Sequence, residues 1–274
     1  MSTIFDHMIL LSNGVQMPQF GLGTYKMTDP EETLRAVEKA ISLGYRAIDT
    51  ASIYQNEREV GEAIRNSGVP REELFITSKV WNDEQGYDET LRAFERSLTA
   101  LDMNYLDLYL THWPVSASYV DTYRAIERLY DEKLIRATGV SNHHEHHLQE
   151  LFAIANIRPM VNQVELHPLL TQQPLREFCH EHQIAVTSWS PLARGKLLQD
   201  PTLSAIASQH DKTVAQVIVR WHIQHDLIVI PKSVTIERIK ENGEVSDFAL
   251  SSSEMAMIDA LNRDERTGTD PDTY

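Results

Sequence analysis

The stretch "FGLGTYKMTDPEETLRAVEKAISLGYRAIDTA", residues 20–51, decides the fold. Its ends, "FGLGTY" 20–25 and "RAIDTA" 46–51, are short β-prone runs. Between them, "DPEETLRAVEKAISLG" 29–44 repeats Leu34, Val37 and Ile41 at helical spacing. Asp29 is the expected N-cap, Pro30 the first helical residue and Gly44 the stop. This is a strand–helix–strand unit, from which two common folds are built. A doubly wound open sheet that binds a dinucleotide usually shows G-x-G-x-x-G after its first strand. Here Gly21-Leu22-Gly23 runs on into Thr24-Tyr25-Lys26 with no third glycine, so that fingerprint is absent.

The same rhythm continues along the chain. Further strand candidates are "LFITSKVW" 74–81, "LDLYLTHW" 106–113, "RATGVSN" 136–142, "MVNQVEL" 160–166, "IAVTSWSPL" 184–192 and "LIVIPKS" 227–233. Helical runs cover 56–67, 88–101, 118–131, 144–155, 173–182, 213–225 and 235–243. Strand followed by helix, eight times over, is the pattern of a (β/α)8 TIM barrel. Residues 201–209 and 251–262 read as two additional helices. "MILLSNGVQMP" 8–18 reads as an N-terminal β-hairpin turning at Asn13-Gly14 in type I′ geometry. With no linker or low-complexity tract, residues 1–274 are expected to form a single domain.

Composition narrows the partners. The chain holds 25 Lys and Arg against 40 Asp and Glu, a formal charge of −15 that repels nucleic acid and anionic membrane. Any anion must therefore be held by a local basic cluster. The lone Cys179 cannot form an internal disulfide, and it is expected to lie buried in the sixth helix. The start "MSTIFDHMILLSNG" lacks the basic region of a signal peptide, and no apolar run is long enough for a membrane span. A cytoplasmic location is expected.

In a TIM barrel the C-terminal ends of the strands form the active face. Strand two ends at Asp49, with Tyr54 in the loop after it; strand three ends at Lys79, and strand four at His112. Taken singly, a strand-end Asp caps a helix, a Lys is solvated and a His is core. Together on neighbouring strands they converge. A phenol with a reference pKa of about 10 is a poor donor near neutrality. A nearby ammonium stabilises phenolate, a carboxylate holds the ammonium, and an imidazole can orient a substrate oxygen. The set suits proton delivery to an oxygen.

These residues sit in motifs that resemble the aldo-keto reductases. The resemblance covers nearly the whole chain: "GYRAIDTASIYQNEREVG" 44–61, "ITSKVWN" 76–82, "DLYLTHWP" 107–114, "GVSNH" 139–143, "VNQVELHP" 161–168 and "IPKS" 230–233 with "RIKEN" 238–242. It implies NADPH-dependent reduction of a small-molecule carbonyl compound. Tyr54 would be the proton donor, tuned by Lys79 and Asp49, with His112 orienting the substrate. It implies nicotinamide contacts from Ser141, Asn142, Gln163 and Trp189, and cofactor contacts from Gly23, Thr24, Ser190, Leu192 and Gly195. Lys232, Ser233, Val234 and Arg238 fall at the 2′-phosphate, with Glu241 and Asn242 at the adenine. Two cations and a hydroxyl at a helix start form an anion site, which supports NADPH over NADH. Tyr25, Trp81 and Trp113, with His112, are expected to wall a narrow substrate pocket.

The short tail "NRDERTGTDPDTY" 262–274 is similar to that of the prokaryotic branch containing 2,5-diketo-D-gluconate and methylglyoxal reductases. That branch implies small aldehydes, dicarbonyls or keto-sugar acids as substrates, and a monomer. The alternative is a nucleotide-sensing regulatory or structural protein on the same fold.

Three features invite a different reading. "HHEHH" 143–147 fails the H-E-x-x-H zinc pattern because position 148 is Leu148. Solvated histidines and no metal site are expected there, although His143 and His147 are four apart. Ser141-Asn142, without the resemblance, would read as the N-cap of the helix that follows. Trp221, inside "VIVRWHIQH", is expected to be helix core.

Overall fold

The computed structural model describes residues 3–274; Met1 and Ser2, the start of the span expected to form a single domain, lie outside them. Two short antiparallel strands, β1 (Met8–Leu10) and β2 (Gln16–Pro18), open the chain. Their loop departs from the expected type I′ turn. Only Gly14 takes positive φ, at 87°, while Asn13 Oδ1 accepts from the Val15 amide at 3.1 Å. Leu11 N donates to Val15 O and Gly14 N to Leu11 O, a wider turn in which glycine alone is left-handed.

Eight parallel strands follow in register: β3 (Gly21–Gly23), β4 (Ala47–Asp49), β5 (Phe75–Val80), β6 (Leu106–Thr111), β7 (Ile135–Ser141), β8 (Val161–Glu165), β9 (Ala185–Trp189) and β10 (Ile228–Val229). The sheet closes on itself: Phe20 bridges Val229 in parallel, and Gly23 N donates to Pro231 O at 3.2 Å. The expected (β/α)8 barrel is therefore present. The strands are shorter than the apolar runs because the final residues of several runs turn into loops at the barrel mouth.

The helices are α1 (Pro30–Ser42), α2 (Glu57–Asn66), α3 (Tyr87–Leu101), α4 (Tyr119–Asp131), α5 (Glu145–Ile154), α6 (Gln173–Glu181), α7 (Pro201–Gln209), α8 (Val214–Gln224), α9 (Ile236–Gly243) and α10 (Ser252–Asp259). Helices α7 and α10 are the two additional ones. The deciding helix, α1, begins as its sequence requires, with the Asp29 carboxylate accepting from the Glu32 amide at 2.8 Å. It ends at Ser42, two residues before Gly44, whose φ of 108° suits glycine.

Strand alternation sorts the core. Leu108 and Leu110 join an interior cluster with Phe75, Ala137 and Met160, while Tyr109 between them meets Phe94 of α3 edge-on at 5.0 Å. Leu11 and Met17 of the hairpin belong to that interior cluster, so the hairpin closes the end where the strands begin. The other end stays open. Trp221 on α8 and Cys179 on α6 are fully buried, as expected.

Candidate active site

The arc after β4 is fixed by hydrogen bonds. Thr50 Oγ1 donates to Asn56 Oδ1 at 2.8 Å, and Asn56 Nδ2 donates to the carbonyls of Thr24 and Met27. A single helical turn, with Tyr54 N donating to Ala51 O, then returns the phenol over the barrel mouth. Gln55 leaves that turn in the left-handed region at φ 55°.

Lys79 is completely buried, and its Nζ donates to Asp49 Oδ1 at 2.6 Å, Thr50 O at 2.9 Å and Tyr54 Oη at 3.4 Å. The contacts expected among Asp49, Lys79 and Tyr54 are present, supplied by two neighbouring strands and a loop. The second Asp49 oxygen accepts from Gln163 Nε2 at 2.7 Å. Ser141 Oγ donates to Gln163 O at 2.7 Å, Asn142 Nδ2 to Ser141 Oγ at 3.1 Å, and Trp189 Nε1 to Asn142 Oδ1 at 2.8 Å. The polar residues from Trp189 to Tyr54 therefore form one connected network. Ser141 and Asn142 do not cap α5; His144 precedes that helix, and its amide donates to His147 Nδ1.

The electrostatics differ from the simplest expectation in one respect. Burial raises the Tyr54 phenol well above its usual value, and the Asp49 charge raises it further. The lysine does not dominate, because Asp49 at 2.6 Å offsets much of its field. Lys79 itself is pulled down by burial, against the attraction of Asp49. Burial, then the Lys79 charge, pushes His112 well below an ordinary histidine, so its ring is neutral near pH 7. His112 Nδ1 is buried without a partner among the described residues, which favours the proton on Nε2.

Asp49, Tyr54 and His112 line a cavity of about 300 Å³ at the C-terminal strand ends, with Lys79 buried behind them. Of the expected residues, it is lined by Gly23, Ser141, Asn142, Gln163, Trp189, Ser190 and Lys232, and by Tyr25, Trp81, His112 and Trp113. Tyr25 lies 5.1 Å from Tyr54 between ring centres, and Trp81 meets His112 edge-on at 5.0 Å. Thr24 is buried beneath, donating to Asp49 O. Leu192 is partly buried against the barrel's outer core, and neither it nor Gly195 lines the cavity; Arg194 between them does. Arg238 and Lys232 are exposed around the start of α9, where the Ser233 hydroxyl accepts from the Thr235 amide and Val234 is half-buried. Asn242 is buried, and Glu241 accepts from Thr213 Oγ1.

Sequence reasoning missed the tail. Gly268, Thr269 and Tyr274 line the cavity, and the Tyr274 ring lies 4.6 Å from Trp113. The tail is anchored by Glu165, which ends β8 fully buried. Its carboxylate accepts from His167 Nε2 at 3.0 Å, the Thr267 amide at 2.6 Å, the Thr267 hydroxyl and the Gly268 amide at 3.0 Å. A buried acid inside "VNQVELHP" was the available signal, since an unpaired buried carboxylate is costly. The histidine stretch also departs from expectation. His143 and His147 are buried rather than solvated, and His143 lies before α5, not on it.

The residues present suit a nicotinamide dinucleotide. Trp189 offers an indole ring at the cavity wall, and Gln163 Oε1 accepts no hydrogen bond among the described residues. Two exposed cations stand at a helix start in a chain of charge −15. A second, larger groove of about 1230 Å³ lies at the hairpin end against α6, and the relay takes no part in it.

The sequence profile of the Aldo/keto reductase family matches residues 19–263. The chain is 56% identical to the 9,11-endoperoxide prostaglandin H2 reductase of Trypanosoma cruzi, over 97% of this chain and 95% of that one. It is 55% identical to the glyoxal reductase of Bacillus subtilis, over 99% of both. Among solved structures, a mutant of Gox0644 in complex with NADPH superposes with a TM-score of 0.94 at 43% identity, covering 100% of this chain and 99% of that one. No helix among the described residues is long and apolar enough to cross a membrane.

Proposed function

The chain belongs to the aldo/keto reductase family, and from that membership we propose that it reduces small aldehydes and dicarbonyls to alcohols with NADPH. The glyoxal reductase at 55% identity supports that substrate class, which includes methylglyoxal; keto-sugar acids are the alternative substrates. The observation that carries the reading is Lys79, wholly buried, joining the Asp49 carboxylate to the Tyr54 phenol at the wall of the cavity.

NADPH, when bound, supplies the hydride that the carbonyl carbon receives. The remaining work belongs to the chain. His112, neutral and protonated on Nε2, donates a hydrogen bond to the carbonyl oxygen and orients it. Tyr54, kept protonated by burial, holds the proton that this oxygen takes as it becomes alkoxide. The phenolate left behind is stabilised by Lys79 Nζ, which Asp49 and the Thr50 carbonyl hold in place. Trp81, Trp113 and Tyr25 exclude water and limit the substrate's width.

Ser141, Asn142 and Gln163 fit the carboxamide, Trp189 the ring face, and Lys232 with Arg238 the 2′-phosphate. All these groups come from one chain, which supports a working monomer; the lone buried Cys179 fits a reducing cytoplasm. The test is NADPH oxidation with methylglyoxal. Tyr54→Phe should lower kcat about 10²–10⁴-fold while NADPH binding, followed by fluorescence quenching, is retained. Absence of turnover in the wild-type protein across a broad carbonyl panel, or a fully active Tyr54→Phe, overturns the proposal.

A further inference from the structure

The histidine stretch and the chain's end meet beside the barrel mouth. Asp272 Oδ1 lies 3.1 Å from His144 Nδ1, 3.2 Å from His146 Nε2 and 3.7 Å from His147 Nε2. One donor atom from each of the four residues falls within 4.8 Å of the others. We propose that His144, His146, His147 and Asp272 bind a divalent transition-metal cation of the Zn²⁺ class, which clamps the C-terminal tail to the start of α5.

Four ligands at about 2.0–2.2 Å from Zn²⁺ are separated by tetrahedral edges of about 3.3–3.6 Å. The three distances from Asp272 bracket that edge. All the donor atoms lie within 4.8 Å of one another, so a pair near that limit must close by about 1 Å. His146, whose side chain is more than half exposed, is free to move toward the other ligands. Three imidazoles and one carboxylate favour zinc-like ions, whereas Ca²⁺ and Mg²⁺ prefer oxygen donors alone. A full set of four protein ligands marks a structural site without an open catalytic position.

Loading the site changes two contacts. A neutral imidazole that ligates through one nitrogen carries its proton on the other. His144 Nε2 now faces Arg266 Nη2 at 2.9 Å; with a proton there, Arg266 must turn away. The Asp270 carboxylate, 3.6 Å from Arg266 Nε, receives it. His147 likewise gives up the hydrogen bond that its Nδ1 accepts from the His144 amide. These losses make binding weaker than at a preformed site, and they couple it to the order of the tail. Asp272 stands two residues before Tyr274, whose ring covers Trp113 at the cavity, so the metal fixes one wall of that cavity.

The test uses the full chain without a polyhistidine tag, stripped with chelator and titrated with Zn²⁺ against a chromophoric competitor. Wild type should bind one equivalent, and Co²⁺ should give the strong visible bands of four-coordination. His146→Ala and Asp272→Asn should each weaken binding tenfold or more; both residues are exposed, so the fold is not at risk. Zn²⁺ should also slow release of Tyr274 by a serine carboxypeptidase in wild type but not in the variants. No stoichiometric binding, or equal binding in wild type and variants, overturns the site. Equal release rates with and without Zn²⁺ overturn the clamp. Neither readout uses turnover, so the outcome is independent of the reductase reading.

Discussion

Glu165→Gln tests whether the tail is held by a buried charge. Burial by itself would raise this carboxyl. Hydrogen bonds from His167, the Thr267 hydroxyl and the Thr267 and Gly268 amides outweigh it, and hold the group at about 2 against an ordinary 4.5. A depressed carboxylate contributes stability above its unfolded value and loses it as pH falls through the folded one. Lowering this carboxyl from 4.5 to about 2 corresponds to roughly 3 kcal/mol at pH 7. At pH 3 the same relation leaves roughly 1 kcal/mol. Glutamine stands in for the neutral acid: its oxygen can still accept at one of the two positions, but its NH2 cannot accept at the other, which strands either the Gly268 amide or the Thr267 amide and hydroxyl. Urea unfolding of both proteins, followed by far-UV circular dichroism, should therefore show a stability gap at pH 7. That gap should shrink by about 2 kcal/mol on going to pH 3. Amide exchange at Thr267 and Gly268 should be faster in the variant. A gap under about 0.5 kcal/mol at pH 7 would place the variant among neutral surface changes. That result, or a gap unchanged at pH 3, would refute the charged anchor.

Three further outcomes follow from the same geometry. Arg238→Ala should weaken NADPH binding about 10- to 100-fold, the worth of a charge-assisted hydrogen bond, with NADH nearly unaffected; equal loss for both cofactors removes the 2′-phosphate assignment. Gly61→Ala should lower the unfolding free energy by about 1–3 kcal/mol or more, read as a lower urea midpoint, because a Cβ there would sit 2.2 Å from the Leu101 carbonyl oxygen; an unchanged midpoint means that α2 and α3 are not so closely packed. His112, pushed far below its usual value, should contribute no inflection to the kcat/KM profile between pH 6 and 8. An inflection there that vanishes in His112→Gln would show that the ring titrates normally.

The barrel itself was legible because it rests on local physics. Asp29, Pro30 and Gly44 bound α1 through their own caps and dihedral preferences, and nothing distant alters them. The Asp49–Lys79 pair was legible for a related reason: residues at the ends of neighbouring parallel strands meet whatever the loops do, so the two had to converge. The hairpin turn was misread because two-residue and wider turns both use Asn-Gly; the choice depends on how Leu11 and Met17 enter the barrel.

What the sequence determined by itself was the strand–helix period, the strand-end carboxylate, ammonium and imidazole, and the basic pair at the start of α9. Each is short-range information, written within one unit or between adjacent ones. The tertiary structure alone decided that the tail closes the cavity, through Glu165 a hundred residues upstream in β8. It also decided that "HHEHH" has a partner. The search for H-E-x-x-H looked along one helix, while the carboxylate facing His144, His146 and His147 comes from Asp272. No local period encodes such a contact, because it arises only when both ends of the barrel's last half are packed against the same mouth.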